Sequence, residues 1–222
     1  MRTAIITGAS SGLGKSVTEQ LSKDGWHIFA LARSIAKVNF EKDVQKIECN
    51  IRNLSDIDTA FTQIDKKTNH IDLLVNCAGR GLVKTFEDTT REEIMDIFGV
   101  NLKGNIYIAQ EVYKRMIPHK KGHIINVGST SSIKAREMEV LYCASKWGLR
   151  GFTESLRLEA RKHKINITGV YPGGMSSDNF WKVVPDKDLS SYMKPEIVAK
   201  QIIQIVKQSN DVALAEIIIE RP

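Results

Sequence analysis

The chain predicts a doubly wound α/β fold, with about seven parallel strands and helices on both faces. Three observations carry this. Strand-length apolar runs alternate with longer amphipathic stretches along the whole chain. Several of those runs are continuously apolar, which suits strands covered on both faces. The first run also feeds a glycine-rich turn that opens directly into a helix.

The elements follow in order. TAIIT (3–7) is the first strand, and a helix is expected near 13–23. HIFALA (27–32) and VQKIEC (44–49) come next, then a helix near 55–68 and the strand IDLLVN (71–76). One long helix is expected near 90–117, then HIINVG (123–128), a second long helix near 141–163 and INITGVY (165–171). Pro195 before EIVAKQIIQIVK marks a helix start with proline in its first turn, giving a helix near 195–208. VALAEIII (212–219) is the last strand. No repeat, biased tract or linker breaks the rhythm, so a single domain over 1–222 is expected.

Composition closes off several function classes. The chain has 222 residues, 42% hydrophobic and 26% charged, which excludes disordered, collagen-like and low-complexity architectures. Basic residues number 32 and acidic residues 26, a net +6. So small a surplus indicates a mild preference for anions and no nucleic-acid partner. Cys49, Cys77 and Cys143 lie far apart, and neither they nor the five histidines show metal-ligand spacing. No metal or disulfide framework is expected. The stretch before the first glycine is too short for a signal-peptide core. No apolar run approaches the roughly eighteen residues of a membrane span. A cytoplasmic protein with no membrane partner is the expectation.

TGASSGLGKS (7–16) is the first chemical signal. Gly8, Gly12 and Gly14 let the backbone turn tightly and approach a ligand. The helix that follows directs free N–H groups and its positive dipole end to the same spot, which suits a pyrophosphate. Ala9 stands where a P-loop needs its first glycine, and Val17 where GxGxxG needs its last. The remaining spacing, TGxxxGxG, also occurs in ordinary strand-to-helix turns. A second test lies at the end of the second strand, where an acid would bind a ribose 2′-hydroxyl and an arginine a 2′-phosphate. Arg33 stands there, pointing to NADP(H) over NAD(H). The alternative is a solvated surface arginine.

Tyr142 and Lys146 lie four apart in YCASK and project from one helical face. A phenol titrates near pH 10, and a neighbouring ammonium would lower that value toward the working range of an acid/base catalyst. Ser129 ends the strand HIINVGS, on the side of a parallel sheet where ligands bind. Its hydroxyl could hold a substrate carbonyl or alcohol oxygen.

Together these residues resemble the short-chain dehydrogenases/reductases, and the resemblance spans essentially the whole chain. TGASSGLG (7–14) is similar to the family's cofactor turn, and NCAG (76–79) to its NNAG. Asn101 in VNLKG, Ser129, Tyr142 and Lys146 fall at the catalytic positions, and PGGMSS (172–177) resembles PGxVxT. The resemblance implies a Rossmann-type domain and hydride transfer between NADP(H) and a small carbonyl or secondary alcohol. Tyr142 would be the general acid/base, Ser129 would orient the reacting oxygen, Lys146 would also bind the nicotinamide ribose, and Asn101 would support a water-linked proton relay. Cofactor contacts are implied at Gly8, Ser10, Ser11, Gly12, Leu13, Gly14, Arg33, Asn50, Ile51, Asn76, Ala78, Gly79, Tyr142, Lys146, Pro172, Gly173, Met175 and Ser177.

The departures are Asn50 for the usual aspartate, Gly128 for a frequent serine, Ser177 for threonine, and a C-terminal VALAEIIIERP without the frequent Gly-Gly. The resemblance also implies a homodimer or homotetramer built on the two long helices, and a short substrate lid near 175–193. Met175, Phe180, Trp181, Val183, Val184, Tyr192 and Met193 in that lid suit either a pocket wall or plain packing. Arg80, Lys134 and Arg136 could anchor an acidic substrate or simply be solvated. A catalytically silent cofactor sensor on the same fold is the competing function. The intact Tyr142, Lys146, Ser129 and Asn101 argue against it.

Overall fold

The strands are β1 (Thr3–Thr7), β2 (His27–Ala32), β3 (Gln45–Glu48), β4 (Leu73–Asn76), β5 (His123–Val127), β6 (Asn166–Pro172) and β7 (Glu216–Ile219). They form one sheet in the order β3-β2-β1-β4-β5-β6-β7, and every neighbouring pair is parallel. The chain leaves β1 toward one edge and returns to β4 on its other side. A crevice therefore opens between these strands at their carboxyl ends. This computed structural model describes the chain except residues 43, 178–180, 182, 183, 185, 187 and 209–211.

The helices are α1 (Gly12–Lys23), α2 (Leu54–Asp65), α3 (Arg91–Phe98), α4 (Asn105–Met116), α5 (Val140–Ala160) and α6 (Pro195–Val206). Successive strand residues point to opposite faces, so two cores form. On one face Ala4, Ile6, Val75 and Ile125 meet Leu13, Val17 and Leu21 of α1 and Val198 and Ile202 of α6. On the other, Ile5, Leu74 and Ile124 meet Ile57 and Phe61 of α2 and Ile108, Val112 and Met116 of α4. Burial on both faces explains why these strands are continuously apolar in sequence. Among the described residues, no helix is long and apolar enough to cross a membrane.

The last strand is shorter than expected, Glu216–Ile219 instead of 212–219, and one helix differs more deeply. The long helix near 90–117 is divided into α3 and α4 by a π-helical segment, Gly99–Gly104. Thr90 starts α3 with a capping box: its Oγ1 accepts from Glu93 N at 3.2 Å, and Glu93 Oε2 accepts from Thr90 N at 2.8 Å. The widened turn seats Asn101, whose carboxamide bonds to the chain at Arg80 rather than to its own helix.

Candidate active site

At the end of β1 the backbone closes on itself. Gly8 has φ +67°, and a Cβ there would lie 2.9 Å from Ala78 Cα. A Cβ on Gly14 would lie 2.4 Å from Gly8 O. Both approaches are to backbone, which cannot step aside, so both positions need glycine. Ser11, the N-cap of α1, makes no side-chain cap, leaving the first-turn N–H groups facing the crevice. This cradle fits a pyrophosphate by its chemistry and by the room it leaves.

The crevice is a cavity of about 780 Å³. Gly8, Ser10, Ser11, Gly12, Leu13 and Gly14 line it near α1, and Arg33, Asn50 and Ile51 line it beyond β2 and β3. Ala78, Gly79, Ser129, Tyr142, Lys146, Pro172, Gly173, Met175 and Ser177 line the remainder. Eighteen of the twenty predicted site residues thus share one cavity.

The two that do not are Asn76 and Asn101, both buried beneath its wall. Asn76 Nδ2 donates to Asn126 Oδ1 at 2.9 Å and to Asn105 O at 3.2 Å. Asn126 Nδ2 continues to Thr153 Oγ1 at 3.0 Å, so a buried polar chain ties β4 through β5 to α5. Asn101 Oδ1 accepts from Arg80 N at 2.9 Å, and its Nδ2 donates to Arg80 O at 3.0 Å and to Ser145 Oγ at 3.1 Å. Its side chain therefore holds the loop after β4 against α5. Asn105 joins the same support, donating to Ala78 O at 3.1 Å and to Asn101 O at 3.1 Å. Asn105 and Asn126 were not singled out from the sequence. The available signal was an amide inside an apolar run, which is buried only where it finds hydrogen-bond partners.

Tyr142 is buried, and its phenol is hydrogen-bonded to Ser129. Burial holds the phenol well above its usual pKa, while the Ser129 bond and the Arg136 charge pull it down. The expected dominance of Lys146 is not seen. Its Nζ donates to Val127 O at 3.0 Å and sits 5.9 Å from the Tyr142 ring centroid. Burial lowers Lys146 from 10.5 to about 8. The neighbouring Cys77 thiol is pushed up to about 12 by burial and stays protonated.

The Lys146 shift has a definite sign for stability. Between about pH 8 and 10.5 the unfolded chain holds this proton and the folded chain does not, so stability rises with pH. Below about pH 8 the full cost of a buried charge is felt. The stability of the wild type relative to Lys146→Met should therefore rise between pH 8 and pH 10, by up to about 1.4 kcal/mol per pH unit. Urea unfolding of both proteins across that range checks this, and a flat difference contradicts it.

The lid residues divide. Met175, Trp181, Val184 and Tyr192 line the cavity, while Met193 packs into the core. Trp181 Nε1 donates to Met175 O at 2.7 Å, and its ring meets Tyr192 edge-on at 5.2 Å. Phe180 and Val183 lie outside the described residues. Thr130, Ser131, Glu139 and Arg221 also line the cavity without having been singled out. Arg80 and Arg136 are at its wall, and Lys134 is not. Among the described residues no group of His, Cys, Asp and Glu side chains could hold a metal.

Comparison with known proteins agrees with this geometry. The family model for short chain dehydrogenase matches residues 2–188. Sepiapterin reductase of Chlorobaculum tepidum is 30% identical, over 97% of this chain and 94% of its own length. A solved metagenomic short-chain oxidoreductase in complex with NADP superposes with a TM-score of 0.86 at 25% identity, covering 100% of this chain and 97% of its own. A 4-hydroxyisoleucine dehydrogenase complexed with NADH shares the fold, with a TM-score of 0.89 at 23% identity, covering 99% of this chain and 97% of its own. On the family match and the shared seven-stranded fold, the chain belongs to the short-chain dehydrogenase/reductase family and is an oxidoreductase.

Proposed function

We propose that the chain is an NADP(H)-dependent enzyme interconverting a small carbonyl and a secondary alcohol, with Tyr142 as general acid/base. The observation that carries this reading is the Ser129–Tyr142 hydrogen bond in the wall of the cavity that extends to the glycine cradle. Gly8, Gly12 and Gly14, with the open N-terminus of α1, would hold the pyrophosphate, and bound NADP(H) supplies or accepts the hydride. Ser129 would hold the substrate oxygen by a hydrogen bond. In reduction Tyr142 would give that oxygen its proton, and in oxidation take it back. Lys146, a buried cation at the same wall, would bind the nicotinamide ribose. Asn101 would act by fixing Arg80 and, through Ser145, the start of α5.

The cofactor preference rests on Arg33. It is the one charged side chain among the described residues lining the cavity at the ends of β2 and β3, and it is exposed there. A guanidinium suits a 2′-phosphate, and among the described residues no acid lines that end of the cavity to repel it. Arg33→Ala should lower the NADPH-to-NADH ratio of kcat/KM by roughly 10–100-fold, the worth of charge-assisted hydrogen bonds. Equal or better use of NADH by the wild type would end the NADP(H) reading.

The outer face of α5 supports a homodimer. Val140, Trp147 and Leu158 are about half exposed there, with Ala144 and Gly151 between them on the same stripe. Trp147→Glu should shift the protein toward monomer in sedimentation experiments. A wild type already monomeric at micromolar concentration would refute the dimer.

A further inference from the structure

The cavity wall has a charge pattern that the cofactor reading does not use up. Among the described residues, Arg33, Arg80, Arg136, Lys146 and Arg221 line it, against the single carboxylate of Glu139. Arg33 lies at the far end, and Arg80 is paired with Asp96 at 3.0 Å, a carboxylate it shares with Arg52 at 2.7 Å. Lys146 is bonded to Val127 O. Arg221 donates to Ser191 O at 2.6 Å and lies over the Tyr192 ring at 4.9 Å. Arg136 remains. Among the described residues no carboxylate forms an ion pair with it, and it stands on the connection between Ser129 and Tyr142.

Its guanidinium is held in place by hydroxyls. Nε donates to Ser131 Oγ at 3.2 Å, and Nη2 donates to Thr130 Oγ1 at 3.0 Å. Thr130 and Ser131 are themselves buried, so their positions are fixed by packing. Ser131 N donates to Ser129 Oγ at 3.1 Å. Two hydrogen bonds thus separate the Arg136 guanidinium from the hydroxyl that would hold the reacting oxygen. Glu139 Oε2 accepts from Ser131 Oγ at 3.0 Å and braces the arrangement from the other side. Nη1 makes no bond within the chain among the described residues. An oriented guanidinium with donors to spare, in a wall where cations outnumber the carboxylate, matches the fork geometry of a second carboxylate.

We infer that Arg136 is a specificity-determining residue that binds a carboxylate on the substrate, so the substrate class is short oxo acids and their hydroxy acids. This rests on the proposed carbonyl–alcohol chemistry. It goes further by saying which end of the substrate is charged and what holds it.

The test uses 2-, 3- and 4-oxopentanoate and their methyl esters, with NADPH and the full chain. The wild type is expected to reduce at least one acid with a kcat/KM 10-fold or more above that of its ester. In Arg136→Met that acid-to-ester ratio falls toward one, chiefly through KM, and in Arg136→Lys it recovers in part. A wild type without preference for any acid overturns the inference, as does a ratio unchanged in Arg136→Met. A second arm reads binding alone, by thermal shift of each protein with NADP⁺ and the same acids and esters. Acids, and not esters, should raise the melting temperature of the wild type more than that of Arg136→Met, and equal shifts overturn the inference. If no carbonyl of either kind is reduced, the proposed reaction fails, while this arm still decides whether Arg136 binds the carboxylate.

Discussion

Tyr142→Phe is expected to lower kcat for carbonyl reduction by roughly 10²–10⁴-fold, the usual worth of a positioned general acid. The phenylalanine ring fills the same space beside Leu82, Ile97 and Leu141, so packing is preserved and only the hydroxyl is lost. Ser129 then loses its phenol partner but keeps the bond from Ser131 N at 3.1 Å, which maintains its orientation. Steady-state loss of NADPH absorbance with a carbonyl panel measures the effect, and fluorescence titration shows that NADPH still binds. An unchanged rate would remove Tyr142 from the chemistry and favour a protein that senses the cofactor without turning it over.

Gly14→Ala should abolish productive cofactor binding and destabilise the fold as well. The added methyl would lie 2.4 Å from Gly8 O, 2.7 Å from Gly8 C and 3.0 Å from Thr7 O. None of these atoms can move unless α1 lifts away from β1. Overpacking of this kind costs roughly 1–3 kcal/mol, and here it is relieved only by opening the phosphate cradle. A rise of at least roughly 100-fold in the Kd for NADPH is expected, together with a lower urea midpoint, because displaced N–H groups no longer converge on one anion. NADPH binding as tight as in the wild type would show that the cradle is not at this turn.

Much of the site was legible in the sequence because its motifs are local. The glycine turn belongs to one strand–turn–helix unit, and Ser129, Tyr142 and Lys146 belong to another. The parallel, doubly wound sheet followed from the alternation of elements and the unbroken apolar runs of the strands, whereas the strand order is seen only in the structure. What escaped depends on partners distant in the chain. Asn101 matches a motif, yet its side chain answers to Arg80, 21 residues away, and to Ser145, 44 residues away. Asn76 reads as a cofactor contact by position, but its amide supports the wall through Asn126, 50 residues on. The Tyr142–Lys146 spacing showed that the two share a helical face. It could not show that burial dominates the phenol or that Val127 O takes the ammonium's hydrogen bond.

The interrupted helix also has a consequence for which sequence changes the fold can accept. A π turn takes up one residue more than an α turn, so the faces of α3 and α4 are out of step by about one residue. Ile97 accordingly packs with Leu82 and Leu141, whereas Ile108, Val112 and Met116 pack on the sheet. Winding Gly99–Gly104 as ordinary helix with every residue kept would turn α4 by roughly 100° and carry those side chains out of the core. No point substitution can therefore straighten the segment, however strongly it favours an α-helix. Losing one residue could, with both faces preserved. The seat of Asn101 is guarded by residue count rather than by local preference.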